Sequence, residues 1–301
     1  MPEKGIRSTY SQCPFELLMQ DQKGTIASGS GFFFEVDDQW FAITNWHNVS
    51  GRHFLNHKPL SNCNRFPTHL TVKLSSYKVG SRSEGTFGIA PHNVLLYDGE
   101  QPLWLEHPQL GPACDVVALP MDRPESCPKF MHNAANKISK VKIPIKPGCN
   151  VFVIGFPHAI SVDFGLPIWK SGYVASEPYY DVTLEGEQWE YGGLLGGKKL
   201  PAFFIDAQTR PGMSGSPVFA RFYGLWDMSD PYRSVDLDEP EFWDRDDVAL
   251  GGEGTEFVGC YSARIMSKEN EAGLGLCWRR DVIEEICRGN QSGNNPHFSM
   301  T

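Results

Sequence analysis

A serine hydroxyl is a weak nucleophile at neutral pH. It does chemistry only where the backbone presents it and a neighbouring base takes its proton. The segment Arg210-Pro-Gly-Met-Ser-Gly-Ser-Pro-Val-Phe219 offers the presentation. Glycines on both sides of Ser214 permit a tight backbone, so the amides of Gly212 and Ser214 can converge on one point. Two N–H groups aimed together would stabilise a developing oxyanion. The same composition also suits an ordinary surface turn, so the reading depends on finding a base. His47 stands in Phe41-Ala-Ile-Thr-Asn-Trp-His47-Asn-Val, directly after a predicted strand. A strand end is a rigid mount, and Thr44 to Asn48 suit a tight turn that aims the ring. Asp115 opens the apolar run Asp-Val-Val-Ala-Leu-Pro. Such a residue is commonly a solvated strand end. Its functional use would be to accept the second ring N–H of His47, fixing the tautomer and stabilising the imidazolium.

Chain order narrows the choice of base. After Ser214 the only histidine is His297, in a polar tail. An α/β-hydrolase carries its histidine after the serine and needs Gly-x-Ser-x-Gly, whereas Ser216 occupies the last position here. The order histidine, aspartate, serine stays open. His53 and His57 lie near His47, but spacings of six and four match no metal-ligand motif. No metal or other cofactor is expected.

The elements that must hold these residues read as β almost throughout. Gly31–Val36 and Trp40–Thr44, joined at Asp37-Asp38-Gln39, predict a hairpin. Further strands are predicted over 70–77, 94–97, 116–121, 151–156, 168–175, 202–207, 217–222, 256–265 and 274–278. Many short strands with turn residues between them indicate a barrel or sandwich. The amphipathic helices that a parallel sheet needs are missing. One helix is predicted, over 280–288, with Val282, Ile283 and Ile286 on one face and Gly289 placed to stop it. Residues 289–301 read as a loose tail. Strand patterning lapses between Met121 and Pro147, which marks a connection between two β halves.

Composition sets the class. The 301 residues are 41% hydrophobic, enough for a substantial core. The net charge of −9 belongs to one segment: residues 227–256 hold eleven acidic and two basic residues, and the rest is balanced. A chain without a basic face gives no reason to expect nucleic acid as a partner. The segment reads as a solvated loop, or as an overhang on a cleft that selects basic substrate segments or a partner. Eight scattered cysteines lack the close pairs of a zinc site and suit a reducing compartment. With no signal segment and no membrane span evident, a cytoplasmic protein is expected.

Four motifs resemble the trypsin-like (chymotrypsin-fold) serine peptidases: Gly29-Ser-Gly-Phe32, Thr44-Asn-Trp-His47, Asp115-Val-Val-Ala-Leu119 and Pro211-Gly-Met-Ser-Gly-Ser-Pro217. Asp206-Ala-Gln-Thr-Arg-Pro-Gly-Met-Ser214 resembles the HtrA and glutamyl-endopeptidase branch in particular. The resemblance implies an all-β fold of two six-stranded antiparallel barrels with a C-terminal helix. The whole chain would be a single peptidase domain, with a first barrel over about 20–125 and a second barrel plus helix over about 145–288. It implies a serine endopeptidase that acts on protein or peptide substrates, with a His47–Asp115–Ser214 triad and an oxyanion hole of Gly212 and Ser214. A substrate pocket would form from Gln208, Thr209, Tyr261, Ser262 and Arg264. Neutral Gln208 stands where trypsin-type enzymes carry an aspartate, which argues against Lys/Arg specificity. Thr209 matches a glutamyl-endopeptidase threonine, but Tyr261 replaces the histidine of that group. Met213 replaces the aspartate of zymogen-type members, so no ion-pair activation by a new N-terminus is expected. The alternative is a catalytically silent protease-fold binding module, or one awaiting a protein partner that activates or inhibits it.

Overall fold

The computed structural model describes residues 6, 8–61, 65–79, 85–123, 129–130, 132–183, 199–233, 235–236, 238–246, 248–266 and 271–297. The predicted hairpin is present. Val36 pairs with Gln39 across a two-residue loop in which Asp37 and Asp38 both take left-handed φ, 49° and 64°. Two such residues make the turn whose twist matches that of the flanking strands.

From this hairpin an antiparallel sheet spreads both ways. Its order is Lys129–Phe130, His69–Val79, Pro14–Asp21, Gly24–Val36, Gln39–Thr44, Val117–Met121, Leu105–Glu106, Gln291–Ser292. Gly85–Leu95 pairs on His69–Val79, which makes nine strands. The first half is thus all-β and antiparallel as expected, but its strand order is open and longer than six. Pro14–Asp21 lies outside the predicted strands and Gly85–Leu95 extends well before 94, while Leu105–Glu106, Lys129–Phe130 and Gln291–Ser292 are two-residue pieces too short to leave a periodic signal. It also begins earlier than 20, at Pro14.

The second half closes as a six-stranded barrel. Its strands are Asn150–Gly155, Ile168–Val174, Ala202–Ala207, Glu271–Arg279, Val248–Met266 and Pro217–Asp227 in that circular order. Two strands run longer than their apolar patterns suggested, because register shifts at Val218/Phe219 and Gly224/Trp226 let them bend around the barrel.

The run Phe32-Phe33-Phe34 shows why its sequence does not alternate. Phe33 packs on Phe15 and Trp40 inside the first half, whereas Phe32 and Phe34 meet Phe257 of the second barrel. All three are fully buried, so this stretch of the strand has no solvent face. Each ring contributes roughly 2–3 kcal/mol by leaving water. The strand welds the two halves.

The helix Arg280–Gly289 buries Val282, Ile283, Ile286 and Cys287. Asn290, not Gly289, takes the left-handed cap at φ 46° and donates its N–H to the Ile286 carbonyl at 3.3 Å. Gly289 is required by packing instead, since a Cβ there would lie 2.3 Å from the Pro108 ring. The tail is not loose up to 297. Gln291–Ser292 pairs with Leu105–Glu106, the Gly293 N–H donates to the Trp104 carbonyl, and His297 stacks on Phe66 at 3.7 Å.

The acidic segment is tied at its base. Buried Asp227 accepts from the Ser229 amide and hydroxyl and from the Asp230 amide, and pairs with Arg245. Those bonds hold its carboxyl well below the usual range. Glu256 is also internal, paired with Lys142 at 2.7 Å. Asp236, Asp238, Glu239, Glu241, Asp244 and Asp246 are exposed. Six cysteines (13, 114, 149, 260, 277 and 287) are buried free thiols.

His132 gives the fold a pH dependence. Its Nε2 accepts the Ser75 amide at 2.9 Å, and its ring sits edge-on to Phe15 and Phe33. Burial pulls its pKa down to about 4. Below about pH 6.5 the unfolded chain takes a proton that the folded ring refuses, so stability falls as pH drops from there toward 4. Acidifying from pH 7 to 5 should cost roughly 2 kcal/mol from this residue. Thermal unfolding of the wild type and His132→Gln across that range checks it: the variant's melting temperature should be the flatter of the two.

Candidate active site

His47 and Asp115 are 68 residues apart in sequence but meet because their strands are neighbours. Thr44, the last residue of Gln39–Thr44, pairs with Val117, the first residue of Val117–Met121. The residues just beyond those ends therefore share one corner. His47 lies not in a plain turn but in the five-residue helix Trp46–Ser50, which ends at Gly51 in the left-handed conformation.

Asp115 is fully buried and its oxygens are shared among three donors. The His47 backbone N–H donates to Oδ1 at 3.0 Å, His47 Nδ1 lies 2.7 Å from Oδ2, and the Ser262 hydroxyl donates to Oδ2 at 2.5 Å. Its backbone carbonyl accepts from Asn45 Nδ2 at 2.6 Å. With Nδ1 engaged as a donor, Nε2 is the nitrogen left to accept a proton. Behind the helix, Glu106 accepts from the indoles of Trp46 and Trp104 at 2.9 and 3.0 Å. Burial pushes the Glu106 carboxyl up, and the two indole N–H groups work against that rise.

The serine loop is built by turn chemistry. The Met213 N–H donates to the Arg210 carbonyl at 3.1 Å, with Pro211 second and Gly212 third at φ 93°. Proline followed by a left-handed glycine is the pattern of a type II turn. Among the described residues neither the Gly212 nor the Ser214 amide donates a hydrogen bond within the protein. Both remain available to an oxyanion.

Ser30 clamps this loop. Its hydroxyl donates to the Gly212 carbonyl at 2.8 Å and accepts the Phe156 amide at 3.1 Å. Its backbone N–H donates to the Ser214 carbonyl at 2.9 Å, which also accepts from Asn48 Nδ2 at 3.2 Å. Met213 is fully buried in the second barrel's core, an apolar anchor where an ion pair would otherwise stand.

His47 and Ser214 line two adjoining grooves. One, of about 310 Å³, runs past Met19, Ile26 and Arg65. The other, of about 250 Å³, runs past Phe54, Arg210, Tyr261 and Arg264. Among the described residues the Ser214 hydroxyl makes no hydrogen bond to the imidazole.

Of the five residues expected in a substrate pocket, Tyr261 and Arg264 line the second groove. Thr209 is buried behind them, with its hydroxyl 2.6 Å from that of Tyr261. Ser262 is spent on Asp115, and Gln208 is exposed outside the lining. Tyr261 and Ser262 face opposite ways because side chains alternate in direction along a strand, whereas Gln208 and Thr209 lie beyond the end of Ala202–Ala207. No described residue of 227–256 lines either groove. Sequence reasoning missed the supporting roles of Ser30, Asn48 and Glu106. Ser30 sat inside a motif already singled out. Glu106, in a two-residue strand, left no signal.

Residues 29–224 match the trypsin-like peptidase domain, and the chain belongs to that family. Solved structures similar to it include an HtrA-type protease with tripeptide, at 13% identity and TM-score 0.44. That likeness covers 93% of this chain but only 60% of the other. The serine endoprotease from Yersinia pestis is similar at 14% identity and TM-score 0.44, covering 96% and 70% of the two chains. A scabies mite inactivated protease paralogue shows 14% identity and TM-score 0.44, covering 95% and 100%. No curated protein sequence matches.

Proposed function

We propose that the chain is a serine endopeptidase working through an acyl-enzyme. The observation that carries this is the fully buried Asp115 carboxylate, bound at once to the backbone N–H and Nδ1 of His47. An aspartate so placed fixes the tautomer in which Nε2 is a base. Ser214 Oγ attacks the peptide carbonyl while His47 Nε2 takes its proton. The Gly212 and Ser214 amides hold the resulting oxyanion, worth about 3–4 kcal/mol per donor in serine proteases. Collapse breaks the C–N bond, the amine leaves with the proton from His47, and an ester remains on Ser214. Water, deprotonated by His47, then hydrolyses the ester and restores the serine. These steps use only the chain's own residues.

A second reading, a silent or partner-activated module, draws on the missing hydrogen bond between Ser214 and His47. Such bonds are often long before substrate binds and tighten only in the complex. Rapid quenching with a p-nitrophenyl ester, followed by mass spectrometry, separates the two. The endopeptidase reading expects an acyl group on the peptide containing Ser214, and none in His47→Ala. Intact ester and unmodified wild-type protein would favour the second.

A further inference from the structure

Resting on the endopeptidase reading, we propose that the C-terminal segment 291–297 is a strap that positions the catalytic histidine by holding the helix Trp46–Ser50 at both ends. That helix needs holding. It has five residues, whereas helices shorter than about 12–15 residues are marginal on their own. Its N-cap residue Asn45 makes no capping side-chain bond, because its amide goes to the Asp115 carbonyl instead. The direction in which His47 points therefore comes from what packs around the helix.

At the start of the helix the anchor is Glu106, which is buried and, among the described residues, has no cation to pair with. One of its oxygens accepts the Trp46 indole at 2.9 Å and the Trp104 indole at 3.0 Å. The strand that carries it, Leu105–Glu106, meets the main sheet through one pair, Leu105 with Ala118. The strap completes it from the other side, where Gln291 pairs with Glu106 and Ser292 with Leu105. The Gly293 N–H then donates to the Trp104 carbonyl at 2.9 Å, and the Asn294 N–H donates to the Glu106 carboxylate. The strap passes so close that a Cβ on Gly293 would lie 2.4 Å from Trp104 Nε1 and 3.0 Å from Glu106 Oε1. Glu106 thus ties an N–H of the catalytic helix to an N–H of the strap.

The far end of the helix is held by other contacts. Arg52 follows the terminal Gly51, and its Nε donates to His297 Nδ1 at 3.4 Å. The His297 ring stacks on Phe66 at 3.7 Å. Phe66 and Pro67 press in turn on the helix end, where a Cβ on Gly51 would lie 2.9 Å from the Pro67 ring. Between the two ends Asn295 Nδ2 donates to the Glu100 carbonyl at 2.6 Å. None of residues 291–297, and neither Glu106 nor Arg52, lines either groove beside Ser214. Their effect reaches His47 through Trp46 and the helix backbone, which makes Glu106, Gly293 and His297 positioning residues. Misplacing an aligned group by about 1 Å can cost about 10²-fold in rate.

The test uses the full chain with Gly293→Val, which drives the strap off Trp104 and Glu106, and with His297→Ala, which releases it from Arg52 and Phe66. Three quantities are measured on each protein: melting temperature, the rate of labelling by an alkyl fluorophosphonate, and the low-field proton resonance of the His47 Nδ1–H bound to Asp115. Gly293→Val is expected to label at least about tenfold more slowly than wild type, and His297→Ala at least about threefold. With the p-nitrophenyl ester the loss should fall in kcat, with KM within about twofold. The Nδ1–H resonance should broaden in both variants as the ring loosens. Folded variants that label at the wild-type rate, or that label slowly with an unchanged Nδ1–H resonance, would overturn the strap and leave the endopeptidase reading standing. A wild type that the probe never labels would overturn that reading, and the Nδ1–H resonance would then decide the strap alone. Should Gly293→Val fail to fold, His297→Ala, at the other end of the strap, decides it by the same measurements.

Discussion

Replacing Asp115 by Asn should lower turnover by about 10⁴-fold, as the same change does in the chymotrypsin-type triad. The size follows from what the carboxylate does. Oδ2 faces His47 Nδ1 at 2.7 Å in a fully buried site, so only a donor N–H on the ring satisfies both groups. An amide turning its NH₂ toward the ring would demand an acceptor at Nδ1 and drive the proton to Nε2. The imidazole would then be unable to receive the serine proton. Turned the other way, the amide would leave its NH₂ against the His47 backbone N–H, which acts as a donor here. Substrate contacts do not involve this residue, so the loss should appear in kcat with KM nearly unchanged. Steady-state kinetics on any cleaved peptide checks it. A loss under tenfold would remove Asp115 from the mechanism.

Gly212→Ala should cost a factor of at least about 10²–10³ in kcat, the range seen on losing one oxyanion donor. Gly212 stands at φ 93°, where a side chain is strained, and a Cβ would lie 2.5 Å from the Phe156 carbonyl. The Phe156 segment cannot give way freely, because its amide is held by the Ser30 hydroxyl that also fixes the Gly212 carbonyl. The turn must move instead, and the Gly212 amide moves with it. The serine, the imidazole and the aspartate stay in place. Melting temperature measured beside kcat distinguishes a displaced donor from an unfolded protein. A folded variant with full activity would place the oxyanion elsewhere.

Much of this site was legible before any coordinates, and the reasons are specific. Ser214 lies in a local motif, and the Pro-Gly pair before it encodes its own turn. His47 and Asp115 each abut a strand with a strong apolar signature, and antiparallel pairing of those strands brings the two ends together. The strands of the second half were visible in their apolar runs, but their pattern allowed a barrel or a sandwich, and the closure is shown only by their pairing. What escaped depends on partners distant in sequence or on elements too short to be periodic. Ser30 clamps residues 126 and 182 positions away. The strands Lys129–Phe130 and Gln291–Ser292 are two residues long and form only because an open sheet edge is already there. Ser262 was placed on the pocket wall because its neighbours line it, yet alternation along the strand turns it to Asp115. The helix stop was misassigned by one residue because Gly289 answers to Pro108 rather than to φ.

Labelling purified protein with an alkyl fluorophosphonate, with Ser214→Ala beside it, tests the central claim most directly. The probe needs an activated serine and an assembled oxyanion site, and no particular substrate side chain. The account predicts stoichiometric labelling of the wild type at Ser214 and none in the variant. A folded wild-type protein that stays unlabelled, or equal labelling of both proteins, would contradict it.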